Sequence, residues 1–272
     1  MPAPIDWRES TLNTSSWWEI NERARGDGHE NVYHGNYVPQ IPAEYIERFT
    51  DVGDWVYDPF LGSGTTALEC IRQGRNCFGV ELNASVYEST CERVERHRWQ
   101  DIEIDLRCGD NRKIKDKHLP ELALTFLHPP YLGIIRFNEG NPQCYGEMHH
   151  HTFHYNMNEL ACQVLRRTRM GGHLVVVVGD VWNSKGKCLY PLGASLIDQI
   201  ARCRGSLLDY GLQKGDRWSL QSVVVKNVVG TRKQQKEKNL QRCRALRDGR
   251  HTFNHEYITL YRKVADNLGN LS

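Results

Sequence analysis

The chain has 272 residues, of which 39% are hydrophobic and 25% are charged, so it can bury a sizeable core as one large domain. Its formal net charge of only +2 excludes a general affinity of the whole chain for nucleic acid, which would have to come from local clusters of Lys and Arg. No stretch resembles a signal peptide or a membrane span, and the nine cysteines contain no C-x-x-C pair. We therefore expect a cytoplasmic protein with reduced thiols.

The first 32 residues are polar, and Trp17 and Trp18 are their only strong apolar feature. We expect residues 1–32 to form an N-terminal arm that is mobile or loosely docked, and residues 33–272 to form the folded domain. Stacking of the tryptophans on a ligand is the alternative. Pro42 is well placed to start the first helix of that domain.

From residue 54 onward, strand-like and helix-like patterns alternate along the chain. Short apolar runs predict strands at residues 54–60, 76–82, 102–108, 122–127, 174–178, 222–229 and 257–262. Apolar residues at helical spacing predict helices at residues 65–72, 84–97, 156–169 and 192–202. This alternation is typical of an α/β, Rossmann-like fold with a mostly parallel sheet and helices on both faces.

The segment Val56–Thr66 combines a buried strand, a tight glycine turn and the start of a helix. Gly62 and Gly64 let the backbone approach a ligand at positions where a Cβ would clash. The turn also offers free N–H groups at the helix N-terminus to a polar ligand. A glycine turn of this kind is weak evidence by itself, and its meaning depends on the residues that follow the other strands.

Polar residues follow four successive predicted strands, and ligands of parallel sheets bind at the carboxyl ends of the strands. Asp58 follows the first strand, and Glu81 ends the second, 17 positions after Gly64. That spacing suits a carboxylate that accepts hydrogen bonds from two ribose hydroxyls. Asp110 follows the third strand, and the tetrapeptide His128-Pro129-Pro130-Tyr131 follows the fourth. These residues are predicted to form one site.

Between about Tyr33 and Lys263, these motifs resemble the S-adenosylmethionine-dependent DNA amino-methyltransferase family, which acts on N6 of adenine or N4 of cytosine. The resemblance implies S-adenosyl-L-methionine as cofactor and double-stranded DNA, with the target base flipped out, as partner. It implies cofactor-binding roles for His34, Asp58, Pro59, Phe60, Gly62, Ser63, Gly64, Thr65, Glu81, Leu82 and Asp110. It implies catalytic roles for His128, Pro129, Pro130 and Tyr131.

The first residue of the catalytic tetrapeptide departs from the family pattern, because His128 stands where the family has Asp, Asn or Ser. The site has to accept a hydrogen bond from the target amine, which a neutral imidazole does and a protonated one does not. The chemistry therefore survives the substitution if His128 is neutral, but adenine and cytosine are not distinguished. Tyr131 is expected to stack on the flipped base.

Two segments, residues 132–155 and 226–254, are candidates for substrate recognition. The first is expected to be a long loop that overhangs the site. Its four histidines, at positions 149, 150, 151 and 154, lack cysteines at ligand spacing, so no metal site is expected. The second carries nine Lys or Arg between residues 226 and 250 and is either a solvated helix or an arm that tracks phosphates. The predicted nucleic-acid contacts are Arg136, Lys226, Arg232, Lys233 and Lys236.

Three other functions remain open at this stage. An RNA base N-methyltransferase of the tRNA guanine N2 type has a similar tetrapeptide, but such enzymes usually carry an additional RNA-binding domain before the catalytic one. A protein-glutamine methyltransferase faces the same chemistry, and the basic segment argues against it. The chain is alternatively an inactive S-adenosylmethionine-binding module for nucleic acid. We expect a prokaryotic or phage-encoded enzyme, with a cognate restriction endonuclease as a possible partner and an undetermined oligomeric state.

Overall fold

The computed structural model describes residues 9–29, 35–98, 101–132, 141–183, 186–203, 215–227, 240, 242–252 and 254–265. Its strands are β1 (Trp17–Trp18), β2 (Trp55–Asp58), β3 (Asn76–Glu81), β4 (Ile104–Cys108), β5 (Leu122–Leu127), β6 (Thr168–Val178), β7 (Val181–Asn183), β8 (Cys188–Tyr190), β9 (Asp216–Asn227) and β10 (His255–Ala265). Its helices are α1 (Gln40–Phe49), α2 (Thr65–Gln73), α3 (Ala84–His97), α4 (His150–Arg167) and α5 (Leu192–Ala201). Residues 242–247 are also helical.

Eight of these strands form one sheet, in the order β1-β9-β10-β6-β5-β2-β3-β4. The neighbours from β6 to β4 run parallel, whereas β10 runs antiparallel to both β6 and β9. This mostly parallel sheet confirms the predicted α/β fold. The chain passes from β2 outward to β4 and then returns to place β5 on the other side of β2. Such a reversal opens a crevice at the carboxyl ends of β2 and β5, which is where ligands bind in folds of this kind.

Both faces of the sheet are covered, because alternate residues of its central strands point to opposite sides. Leu174 and Val176 of β6 join a core cluster with Phe153 and Leu160 of α4. Val175, between them in sequence, joins a separate cluster beneath α1 and α2. Apolar runs without polar interruption, such as the fully buried β5, follow from this two-sided burial.

Two residues of the N-terminal segment form a strand of the sheet, so the segment is docked there rather than mobile. β1 pairs in parallel with β9, where Trp18 lies opposite Lys226. The Trp18 side chain is buried, and its ring lies 5.7 Å from that of Tyr45 in α1. Apolar burial at the sheet edge, together with one ladder of backbone hydrogen bonds, holds this segment in place.

Three further expectations need correction. The segment 132–155 is not wholly a loop, because α4 begins at His150, six residues before the predicted helix start. β7 and β8 form a two-stranded hairpin that was not predicted. The cysteines are not all free, since the structure records a disulfide between Cys162 and Cys203. Among the described residues, no helix is both long and apolar enough to cross a membrane.

Candidate active site

The glycine turn after β2 is held from outside by two side chains of α3. The hydroxyl of Thr90 donates to the carbonyl oxygen of Gly62 over 2.8 Å, and the guanidinium of Arg93 donates to that of Ser63 over 2.7 Å. Gly62 and Gly64 have φ angles of 52° and 80°, a left-handed conformation that favours glycine. A Cβ on Gly64 would lie 2.8 Å from Cγ2 of Thr90. Both glycines are therefore required by backbone conformation and, at Gly64, by close approach.

Asp58 ends β2 and is 1% exposed. Its Oδ1 accepts from the N–H of Phe60 over 2.9 Å, and its Oδ2 accepts from the hydroxyl of Thr66. Burial raises the pKa of Asp58 to about 6 against the opposing effect of these hydrogen bonds, and the nearby Glu81 raises it further. No described cation is among the main groups that act on this carboxyl. Within the described part of the chain, Asp58 is therefore a buried acid without a compensating positive charge.

Glu81 ends β3 and points its carboxylate back at the glycine turn. Its Oε2 accepts from the N–H of Gly62 over 2.9 Å, and its Oε1 accepts from the N–H of Asn83 over 2.8 Å. The backbone N–H of Leu82 is a third donor, and burial raises the pKa of Glu81 above its usual range. A carboxylate has about four acceptor sites, so Glu81 is fixed in place by these three donors and still has acceptor capacity.

Asp110 follows β4 and is paired with a residue that the sequence analysis missed. The guanidinium of Arg112 donates to both oxygens of Asp110, each over 2.8 Å. A bidentate pair of this kind is strong and directional. Any ligand group that contacts Asp110 has to share the carboxylate with Arg112, and no local pattern in the sequence signals this pairing.

Asn111, just after β4, and Phe60, in the turn after β2, connect the described part of the 132–155 segment to the site. The side-chain amide of Asn111 donates to the carbonyl oxygen of Pro59 over 2.9 Å. The hydroxyl of Tyr145 donates to the side-chain oxygen of Asn111 over 3.3 Å. The rings of Phe60 and Tyr145 meet edge to face at 4.9 Å. Tyr145 thus lies beside the turn after β2, as expected of a residue in a segment close to the site.

His128-Pro129-Pro130-Tyr131 follows β5, the parallel neighbour of β2. Nε2 of His128 lies 3.3 Å from the hydroxyl oxygen of Tyr131, and that hydroxyl donates to Oε1 of Glu256 over 3.2 Å. Burial lowers the pKa of His128 to about 4, although the carboxylate of Glu256 opposes this shift. His128 is therefore neutral near pH 7, which is the condition that the sequence analysis set.

Tyr37 joins the tetrapeptide to the glycine turn. Its ring meets His128 edge to face, with 4.8 Å between the ring centroids. Its hydroxyl is hydrogen-bonded to Thr66 and lies 3.5 Å from Oδ2 of Asp58. Sequence reasoning missed Tyr37, although it lies just before α1 and three residues after His34, which the resemblance assigned to cofactor binding.

Some of the remaining predicted site residues are buried near the turn, one is paired elsewhere, and five lie outside the described part of the chain. Thr65 is buried at the start of α2, and the hydroxyl of Ser63 accepts from the side-chain amide of Asn36. Lys226 is 2% exposed and lies 3.1 Å from Glu256, so the prediction that it contacts nucleic acid is wrong: its charge is already paired in the interior. Five residues lie outside the described part of the chain: His34, Arg136, Arg232, Lys233 and Lys236. Within the described part, no group of three or more His, Cys, Asp or Glu is arranged to hold a metal ion.

Curated relatives match only part of this chain. M.MjaII, a Type II methyltransferase of Methanocaldococcus jannaschii, is 31% identical over 77 residues, covering 27% of this chain and 14% of the relative. M.XycI of Xanthomonas campestris pv. cyanopsidis is 31% identical over 92 residues, covering 34% and 29%. M.MthZI of Methanothermobacter thermautotrophicus is 33% identical over 103 residues, covering 37% and 25%. The chain thus spans less than a third of the length of each relative.

Among solved structures, TrmN from Thermus thermophilus is similar to this chain with a TM-score of 0.51, at 15% identity, over 85% of this chain and 50% of TrmN. At that identity the likeness concerns the fold alone. The sequence model of the DNA methylase family of N6 and N4 type matches residues 5–92, which contain the glycine turn and Glu81 but not the tetrapeptide. The resemblance found in the sequence is therefore supported over residues 5–92, where the chain is similar to the N6/N4 DNA methylase family.

Proposed function

We propose that this protein transfers a methyl group from S-adenosylmethionine to the exocyclic amine of adenine (N6) or cytosine (N4) in DNA. The match of residues 5–92 to the family model and the Type II methyltransferase names of the relatives support this proposal. The main support for this proposal is the position of His128 relative to the glycine turn. A neutral His128 at the end of β5 is connected through Tyr37 to the glycine turn of β2, at the crevice where ligands of such sheets bind.

The cofactor fits the charges of the site. Asp58 and Glu81 are acids whose pKa values are raised by burial, and no described cation is among the main groups that act on either of them. A ligand with positive charges relieves that cost, and S-adenosylmethionine carries an ammonium and a sulfonium. When bound, it supplies an activated methyl group. Asp58, Gly62, Gly64 and Glu81 would hold it, and Asp110 would contribute only if it is shared with Arg112.

The tetrapeptide would hold the target base. A neutral His128 accepts a hydrogen bond from the amine, and the Pro129 carbonyl offers a second acceptor, so that the nitrogen lone pair is directed toward the methyl group. Tyr131 would stack on the base, which has to leave the duplex to reach the crevice. The protein's contribution is then alignment and exclusion of water rather than activation of the methyl donor.

The double-stranded DNA substrate would be held by the Lys and Arg residues of 226–254 other than Lys226, together with Arg136. Phosphate contacts of this kind need no particular sequence, so they leave the recognition site and the choice of base open. A cytoplasmic location and a cognate restriction endonuclease are parts of the same proposal.

The test is nucleoside mass spectrometry on unmethylated duplex DNA and on RNA, each incubated with the purified protein and S-adenosylmethionine. N6-methyladenine or N4-methylcytosine in the DNA is the expected product, and a His128→Ala variant should form it far more slowly while still binding the cofactor. Modified RNA beside unmodified DNA would replace this proposal with an RNA methyltransferase. Cofactor binding without product on either substrate would indicate an inactive binding module.

A further inference from the structure

Four polar side chains form a row that ends at the proposed catalytic residue. Lys226 of β9 and Glu256 of β10 lie directly opposite each other across the two strands, with 3.1 Å between Nζ and Oε2. Oε1 of Glu256 is 3.2 Å from the hydroxyl oxygen of Tyr131, which is 3.3 Å from Nε2 of His128. We call these four residues the polar row. None of the functions assigned above uses Lys226 or Glu256.

The charge at one end of the polar row sets the direction of its hydrogen bonds. Glu256 is ion-paired with the Lys226 ammonium, and an ionised carboxylate only accepts hydrogen bonds. The hydroxyl proton of Tyr131 is therefore directed at Glu256. The hydroxyl oxygen is then left as an acceptor, so Nε2 of His128 has to be the donor.

Two further observations agree with this direction. Burial, with an added effect of the nearby Glu256, raises the pKa of Tyr131 well above its usual range, so the hydroxyl keeps its proton. The backbone N–H of Gly179 also donates to the Tyr131 oxygen and fixes it further. In the part of the chain that the structure describes, Nδ1 of His128 makes no hydrogen bond, which leaves its lone pair available.

We propose that Glu256, paired with Lys226, acts through Tyr131 as a positioning residue that holds His128 in the tautomer with its proton on Nε2, so that Nδ1 is a hydrogen-bond acceptor. A free imidazole exchanges between two tautomers, and the other one would present a donor to the target amine. The polar row thus keeps Nδ1 of His128 as a hydrogen-bond acceptor. The side-chain oxygen of an Asp or Asn at this position is an acceptor without such support. This inference deepens the proposed function and rests on it.

The test reads the tautomer directly, without cofactor or DNA. Long-range proton–nitrogen NMR spectra of the full chain labelled with ¹⁵N-histidine distinguish the two tautomers, and the wild type should carry its proton on Nε2. In Glu256→Gln, the amide oxygen should face Lys226 and its NH₂ group should face Tyr131, which reverses the row and moves the proton of His128 to Nδ1. Methyl transfer should fall at least about tenfold, while cofactor affinity is retained.

Asp216→Asn is the matched control, since it removes an ion pair between the same two strands at their other end, where Lys263 Nζ lies 3.0 Å from Asp216 Oδ2. It should leave both the tautomer and the rate unchanged. If Glu256→Gln does not fold, Tyr131→Phe keeps the ring and removes the hydroxyl, and both tautomers should then appear.

A wild-type imidazole protonated on Nδ1, or an Nε2–H tautomer that persists in both variants, would overturn the inference. A wild-type His128 protonated on Nε2, together with unmethylated DNA, would instead overturn the proposed function. The inferred role of the polar row in fixing the tautomer would then still hold.

Discussion

The ring of Tyr37 stands at 89° to that of His128, with 4.8 Å between their centroids. The same tyrosine is hydrogen-bonded through its hydroxyl to Thr66, which in turn donates to Asp58. One buried side chain thus connects the end of β5 with the end of β2, the two strands on either side of the crevice. The proposed base site and the proposed cofactor site therefore share a rigid wall.

The first prediction concerns the charge of His128. Burial lowers its pKa to about 4, and protonation would remove the acceptor, so activity should be lost only as the pH falls toward that value. Single-turnover rates at saturating cofactor and DNA should be flat between about pH 6 and 8, rather than titrating near the ordinary histidine pKa of about 6.5. His128→Ala should lower the rate by roughly 100-fold or more with little change in cofactor affinity.

His97→Ala is the control, because that imidazole is also partly buried and hydrogen-bonded, to the carbonyl oxygen of Arg93 over 2.9 Å, but lies at the end of α3. It should leave the rate unchanged. A wild-type rate that titrates with the ordinary histidine pKa, or weakened cofactor binding in His128→Ala, would contradict the role assigned here.

The second prediction concerns Asp58. Its pKa in the folded protein is raised to about 6, mainly by burial, and only the ionised carboxylate attracts a cation. Cofactor affinity measured by calorimetry should therefore rise with pH up to that value and level off above it. Asp58→Asn should abolish this pH dependence and weaken binding roughly 10- to 100-fold, the range for a hydrogen bond to a charged group.

The stability of Asp58→Asn separates a ligand contact from a structural role. A carboxyl with a raised folded pKa makes the protein less stable as pH rises between its unfolded and folded pKa values, and the loss is complete above the folded one. The amide carries no such penalty, so the variant should unfold at pH 7 at a temperature no lower than that of the wild type. Asp105→Asn, on the part-exposed pair with Arg107, should not change cofactor affinity.

Local sequence patterns predicted the elements that local interactions determine. The bounds of α3 were predicted correctly, and its start is fixed by Asn83, whose side chain accepts from the N–H groups of Ser85 and Val86. β5 was also predicted correctly, because a six-residue apolar run suits a strand buried on both faces. β1 was missed because its partner is distant in sequence, as shown by the bond between Ile20 and Asn227, 207 residues apart.

In the site, too, residues that depend on local interactions were predicted and those that depend on distant contacts were not. Gly64 and Glu81 were found because backbone conformation and strand-end position leave a signature at fixed spacing. Tyr37 and Glu256 act through side-chain contacts between distant segments, for which a single sequence carries no signal. Lys226 was wrongly assigned to nucleic-acid binding because it stands next to the basic segment in the sequence. Its partner Glu256 lies opposite it on the neighbouring strand, which the sequence does not reveal.

The third prediction concerns the close approach at Gly64. Ala at this position has to adopt a φ of 80° and places its Cβ 2.8 Å from Cγ2 of Thr90. The conformation alone costs about 1–2 kcal/mol, and the clash adds to it. Thr90→Ser removes that methyl group and keeps the hydroxyl that donates to Gly62. Gly64→Ala should therefore destabilise the Thr90→Ser protein less than the wild type, as measured by urea unfolding in a double-mutant cycle.

Gly53→Ala isolates the conformational cost, since Gly53 has a φ of 84° and no atom within 4 Å of the added Cβ. Its destabilisation should match that of Gly64→Ala in the Thr90→Ser background. Equal costs of Gly64→Ala with and without the Thr90 methyl group would show that the close approach is not responsible.

The fourth prediction separates Lys226 from the other cations of the basic segment. Lys226→Ala leaves the partly buried Glu256 without its ion-pair partner, so the free energy of unfolding should fall by about 3 kcal/mol. The salt dependence of DNA binding should not change. Alanine at Arg232, Lys233 and Lys236 should have the opposite effect: stability is retained, and the slope of log K against log salt falls by about 0.9 for each phosphate that is no longer neutralised.

Lys117→Ala, at an exposed lysine before β5, serves as the control for removal of one surface charge and should change neither quantity. Titrations of duplex DNA at several salt concentrations, together with urea unfolding of each variant, provide both measurements. A reduced salt slope in Lys226→Ala would mean that this lysine reaches the phosphates after all. An unchanged slope in the triple variant would remove the basic segment from the DNA-binding surface and place the phosphate contacts elsewhere on the strand-end face.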